Sequence, residues 1–302
     1  MELVGTNSNL LADALGHIQR EIDAAFDAFL PMPGDTRARL VEAMRYAAIG
    51  GGKRVRPLLV AATAELYGVD RDAAVRAGCA VEAIHVYSLI HDDLPCMDDD
   101  DMRHGKPTVH KQFDDATAVL AGDCLHALAF EILADPATSG DPFVRTELIQ
   151  TLATASGKDG MAGGQMMDIV AEEQDYDLHT ITRLQQLKTG ALLAASVEMG
   201  AILGRIAPEG RGHLRAYARD IGLAFQIADD LLDHEGDEAK AGKALRKDEG
   251  QGKQTFVSLM GADKAREQAH ALVDQAIGHL GTHGSEANLL RALARFIVER
   301  DR

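Results

Sequence analysis

Apolar positions Leu11, Leu15, Ile18, Ile22 and Phe26 recur at spacings of three and four, which predicts a helix burying one face. The same periodicity runs through residues 36–48, 54–67, 71–91, 113–134, 143–157, 178–203, 211–233, 258–280 and 285–299. Around Ala191 to Ala195 the apolar face broadens until little polar surface is left, the mark of a central helix. No window alternates with a period of two, so no strand is predicted. Gly50-Gly51-Gly52, Pro95, Pro107, Gly140-Asp141-Pro142 and Gly163-Gly164 act as breakers between helices. With no low-complexity linker and no repeat, the pattern predicts one all-α domain over residues 1–302. It should hold ten or more helices, more than a four-helix bundle.

Composition supports packed helices. Hydrophobic residues make up 46% of the 302, aromatics only 4%, and tryptophan is absent, so Ala, Leu, Ile, Val and Met must fill the core. The formal net charge of −16 disfavours nucleic acid and anionic membranes as partners, and at face value an anionic small substrate too. Cys79, Cys96 and Cys124 form no CxxC pair, as expected for a chain in a reducing cytoplasm. Glu2 and the missing basic-then-apolar start argue against a signal peptide. The longest low-charge apolar run, 191–203, contains Glu198 and is too short to span a bilayer, so no integral membrane protein is expected.

Two acidic clusters change that picture. The first is Asp92-Asp93-Leu94-Pro95-Cys96-Met97-Asp98-Asp99-Asp100-Asp101, directly after an apolar helix and directly before Arg103, His104 and Lys106. The second is Asp229-Asp230-Leu231-Leu232-Asp233. Asp229 and Asp233 stand about 40° apart around a helix and can share a cation. Asp92 and Asp98 would diverge on an unbroken helix, but Pro95 breaks it and lets a loop return Asp98 toward Asp92. A single acidic run is usually a solvated face. Two runs at the ends of apolar helices predict hard divalent ions bridging to a phosphorylated ligand. Cations are available to meet the remaining phosphate oxygens: Lys53, Arg54 and Arg56 after the glycine break, Lys188 in Lys188-Thr189-Gly190, and Lys243 and Lys253 in a glycine-rich segment. No Ser/His/Asp or Cys/His nucleophile arrangement occurs. The expected chemistry is therefore metal-assisted phosphoryl transfer or ionisation of a phosphate ester.

In this arrangement the chain resembles the trans-isoprenyl diphosphate synthases. The resemblance covers nearly the whole sequence in order. It runs through Gly51-Gly52-Lys53-Arg54-Val55-Arg56-Pro57, Val81-Glu82-Ala83-Ile84-His85, the first Asp motif, Ala121-Gly122-Asp123 and Gly163-Gly164-Gln165 with Asp168. It continues through Lys188-Thr189-Gly190, Phe225-Gln226, the second Asp motif, Gly236-Asp237, Gly242-Lys243 and Lys253-Gln254-Thr255-Phe256. It implies an all-α bundle around a central cavity (the isoprenoid synthase fold), a homodimer, and Mg²⁺, three ions per active site. Asp92, Asp93, Asp98, Asp229 and Asp233 would hold the metal on the allylic diphosphate, and Arg103, Lys188, Lys243 and Lys253 would meet the leaving group. Lys53, Arg56 and His85, with His104, would bind isopentenyl diphosphate. Lys188, Thr189 and Gln226 would turn oxygen dipoles toward an allylic carbocation, with Asp92 and Asp229 completing the catalytic set.

Two positions depart from the family pattern: His104 and Arg246 stand where relatives usually carry arginine and glycine. A neutral histidine is a poorer diphosphate partner than arginine, so weaker isopentenyl diphosphate binding is expected. Product length depends on residues below the first motif. Tyr87 and Ser88 lie about 6–7.5 Å down the helix from Asp92. A bulky Tyr87 resembles the floor of bacterial-type farnesyl diphosphate synthases and implies a C15 product. The alternatives are a C20 (geranylgeranyl) synthase and, further off, a non-catalytic subunit of a heteromeric synthase. Retention of both Asp motifs and of Lys53 and Arg56 argues against a terpene cyclase.

Overall fold

The computed structural model describes residues 2–171, 174–235 and 254–299. The chain runs through α1 (Glu2–Phe29), α2 (Ala38–Ala48), α3 (Val55–Glu65) and α4 (Arg71–Asp92), then a two-residue hairpin, β1 (Met102–Arg103) and β2 (Lys106–Pro107). There follow α5 (Val109–Gln112), α6 (Asp115–Ala134), α7 (Pro142–Ser156), α8 (Met161–Val170) and α9 (Leu178–Gln185). A π-helical turn, Gln186–Gly190, leads into α10 (Ala191–Leu203), and then come α11 (Gly212–Glu235), α12 (Phe256–Met260), α13 (Ala262–His279) and α14 (Asn288–Glu299). The expected all-α bundle of more than ten helices is present.

Helix starts follow from capping. Asp70, Asp114, Asp141 and Asp177 each accept backbone N–H groups at the first turns of α4, α6, α7 and α9, and Pro142 occupies the first position of α7. α3, α4 and α10 form the centre. From Pro57 to Ala64 every residue of α3 is buried. Gly200 lets α10 approach α3 closely, since a Cβ there would lie 2.6 Å from Thr63 Cβ and 2.7 Å from the Val60 carbonyl.

Four local features differ from the periodicity reading. The hairpin is too short for alternation to reveal. It turns through His104 (φ +51°) and Gly105 (φ +75°), the positive-φ pair that a tight two-residue turn requires. Gly163-Gly164, expected to break a helix, lies inside α8. These glycines are there for close approach, because a Cβ on Gly164 would lie 2.2 Å from the Lys188 backbone nitrogen. The predicted 258–280 helix divides at Gly261 (φ +84°) into α12 and α13. Finally, among the described residues α4 and α6, not 191–203, are long and apolar enough by length and composition to cross a membrane. They pack against each other inside the bundle, which accounts for the apolarity of α4. Part of α6 stays open, with Val119 40% and Leu120 52% exposed.

Candidate active site

α4 ends at Asp92, and the chain then doubles back. The Asp98 N–H donates to the Asp92 carbonyl at 2.8 Å and the Asp99 N–H to the Leu94 carbonyl at 3.2 Å. The loop around Pro95 thus returns Asp98 to the helix end, as the sequence predicts. Burial, with Asp98 and Asp93 adding repulsion against the pull of Lys188 and Arg103, pushes the Asp92 carboxyl up to about 6. The ionised carboxyl thus carries a burial penalty that a bound cation would relieve. Asp93, expected among the metal ligands, is paired with Arg103. Arg103 Nε donates to Asp93 Oδ1 at 2.8 Å and Oδ2 at 2.9 Å, and Nη2 adds a 2.6 Å bond to Oδ1. This fork geometry is the strongest form of carboxylate pairing.

The second cluster lies on the last turns of α11. Asp230 is buried, whereas Asp229 and Asp233 are half-buried. One turn earlier, Gln226 accepts a hydrogen bond from the Thr189 hydroxyl at 3.2 Å. Thr189 and Lys188 sit in the π turn, a widened helical geometry that recurs at functional sites. Lys188 Nζ donates to Asp168 Oδ2 at 2.8 Å and also pulls on Asp92. Through the π turn, Lys188 acts on Asp92 at the end of α4 while its neighbour Thr189 bonds Gln226 on α11. Arg56 feels Asp229 electrostatically, which closes the circuit through α3.

Beside the first cluster opens a cleft of about 630 Å³ including its mouth, lined by Gly51, Gly52, His85, Arg103 and His104 among others. Burial and the nearby Arg56, Arg103, His104 and Arg54 hold His85 well below its usual value, so its ring is neutral at pH 7. Burial and Arg103, Arg54 and Lys106 depress His104 as well, outweighing Glu82. Arg56 acts on His85 without lining the cleft itself, and its Nε is buried with no hydrogen-bond partner among the described residues. Guanidinium groups gathered beside a cleft, one with an unused donor, are complementary to an anion.

The structure sets Asp98 beside Asp92, with Lys188 acting on Asp92 and Thr189 bonded to Gln226 one turn before Asp229 on α11; His85, Arg103 and His104 line the cleft, and Arg56 acts on His85. Lys53 does not line the cleft; its Nζ lies 5.6 Å from the Phe296 ring centroid. Tyr87 stacks edge-on against His91 at 5.7 Å and His126 at 5.0 Å, and Ser88 donates its hydroxyl to the His85 carbonyl. His91 fits because Gly122 has no side chain: a Cβ there would lie 2.1 Å from His91 Nε2. Lys243, Lys253 and Arg246 lie outside the described residues.

Sequence reasoning gave no separate role to Arg54 and Asp168. Arg54, 2% exposed and left-handed (φ +53°), donates to Glu82 at 2.9 Å and Asp23 at 2.7 Å, tying α1 and α4 to the start of α3. Nothing in a Lys-Arg-Val-Arg run tells which cation turns inward. Asp168 did carry a signal, its place after Gly163-Gly164-Gln165, but its partner Lys188 is twenty residues away.

Helical architecture, two Asp clusters and an adjoining cleft with Arg and His side chains are the features expected of an enzyme that handles phosphorylated ligands. Comparison with known proteins narrows the class: the polyprenyl synthetase family model matches residues 37–293, and the chain belongs to that family. It is 43% identical to the farnesyl diphosphate synthase of Escherichia coli (strain K12), over 94% of this chain and 96% of that protein. It is 40% identical to geranylgeranyl pyrophosphate synthase 4 of Arabidopsis thaliana, over 94% of this chain and 75% of that one. Among solved structures, an apo FPP/GFPP synthase from Zymomonas mobilis superposes with a TM-score of 0.89 at 60% identity, covering 97% and 99% of the two chains. The chain is a prenyltransferase, a polyprenyl diphosphate synthase.

Proposed function

We propose that this chain condenses isopentenyl diphosphate with dimethylallyl or geranyl diphosphate to give (2E,6E)-farnesyl diphosphate. The observation that carries the reading is the juxtaposition of a carboxylate-rich space, bridged by Lys188, with the cationic cleft around a neutral His85. One suits a diphosphate that must leave, the other a diphosphate that must only be held.

The donor set fits Mg²⁺: Asp92, Asp98, Asp229 and Asp233 are hard oxygen ligands, and Asp92 carries a burial penalty that a cation relieves. Bound there, the metal supplies Lewis-acid stabilisation of the departing diphosphate. Lys188 and Arg103 add hydrogen-bond donors for its oxygens. Arg56, His85 and His104 hold the isopentenyl diphosphate, orienting its double bond. Thr189 and Gln226 face the developing allylic cation with oxygen lone pairs, a preorganised electrostatic role. The released diphosphate takes the proton in the final elimination.

Tyr87 is the floor of the chain-length pocket, its ring held by His91 and His126. This favours C15 over C20. The test is a product assay with isopentenyl and geranyl diphosphates read by mass, run on the native chain and on Tyr87→Ala. A native C15 product that lengthens in the variant supports the reading; a native C20 product rejects it. The open apolar side of α6, with Val119 and Leu120 exposed, is the face of a homodimer, so light scattering should give twice the chain mass. The three free cysteines suit a cytoplasmic enzyme working as one domain.

A further inference from the structure

Asp230 belongs to the second Asp cluster, yet both its oxygens already serve protein donors. Oδ1 accepts from Gln226 Nε2 at 3.1 Å and Oδ2 from the Phe256 backbone N–H at 2.9 Å, and the residue is 5% exposed. An ionised carboxylate can only accept hydrogen bonds. The Gln226 amide must therefore turn its NH₂ to Asp230 and its Oε1 to the Thr189 hydroxyl, which donates to it at 3.2 Å. That order leaves oxygen lone pairs, rather than N–H groups, for a positive centre beside Thr189 and Gln226.

We propose that Asp230 is a positioning residue that fixes the sense of the Gln226 amide, and through it the Thr189 hydroxyl, and that it is not a metal ligand. The proposal rests on the prenyl-transfer reading above. An asparagine at this position can present its own N–H to Gln226, so the amide is free to turn over and offer N–H to the cation.

The experiment is a double-mutant cycle of Asp230→Asn and Gln226→Leu on the full chain, following prenyl transfer against Mg²⁺ concentration. Asp230→Asn should lower kcat about 10- to 100-fold. It should leave both KM values and the half-saturating Mg²⁺ unchanged, and the double variant should be no slower than Gln226→Leu alone. Multiplying losses, or a raised Mg²⁺ requirement in Asp230→Asn, overturns the proposal. Should Asp230→Asn not fold, Gln226→Leu alone reads the same contact: it should lower kcat and leave the half-saturating Mg²⁺ unchanged, and a changed Mg²⁺ requirement overturns the proposal. A native chain that makes no prenyl product is a different result, and rejects the prenyl-transfer reading itself.

Discussion

The two Asp clusters reach a similar end by opposite local means. In the first, a helix stops and a proline loop folds Asp98 back on Asp92 through a 2.8 Å backbone hydrogen bond. In the second, α11 runs on and its own period aligns Asp229 with Asp233. In both, the second aspartate of the adjacent pair is the buried one: Asp93 is 3% and Asp230 5% exposed. Asp93 is gripped by the Arg103 guanidinium, whereas Asp230 accepts from a side-chain amide and a backbone N–H. Adjacent carboxylates therefore differ in what they do. The second member of each pair is held by protein donors, and its neighbour is less buried.

The largest effect should come from the more open members. Asp92→Ala or Asp229→Ala should lower kcat by about 10²–10³-fold, measured as prenyl transfer at saturating substrates and Mg²⁺. An equal loss in stability instead would erase the distinction between the two kinds of aspartate. Next, Arg103→Gln strands a buried Asp93 and should destabilise the fold by about 3 kcal/mol in urea denaturation. Gln226→Leu, which removes only one neutral donor from Asp230, should cost about 1–2 kcal/mol.

A smaller effect tests Asp92 as a proton-or-metal site. Its folded value of about 6 lies above the usual 3.8, so its stabilising protonation is fully present below about 3.8 and is lost as pH rises through about 6. Mg²⁺ competes for the ionised form. The Mg²⁺-induced rise in Tm should therefore be greater at pH 7.5 than at pH 5, by about 2 °C. Scanning calorimetry at the two pH values checks this, and a larger rise at pH 5 contradicts it. The smallest change is His104→Arg. Because His104 is depressed toward neutrality, a permanent charge should lower KM for isopentenyl diphosphate about two- to fivefold. An unchanged KM means that His104 does not meet that substrate.

Much of this was legible in the chain. Spacings of three and four gave the helices, and Pro95 gave the returning loop. Paired carboxylates with scattered cations gave the chemistry, and the net charge of −16 changed meaning once nine of its carboxylates were seen to lie in the two clusters. What stayed hidden involved partners distant in sequence. Gly164 looked like a breaker because only contact with the Lys188 backbone shows why it must be bare. The His104-Gly105 turn joins strands of two residues, too short to leave a pattern.

By itself, then, the sequence determined the all-α class and the residue types able to hold metal and diphosphate, because helix periodicity and local charge are properties of neighbours along the chain. The tertiary structure alone decided which of several equivalent side chains turns inward. It chose Arg54 to be buried while Lys53 stayed exposed, gave Asp93 to Arg103, and set Asp230 beneath Gln226. The reason is physical: a buried charge or amide is tolerated only where distant elements deliver its hydrogen-bond partners, and that delivery depends on packing rather than on order along the chain.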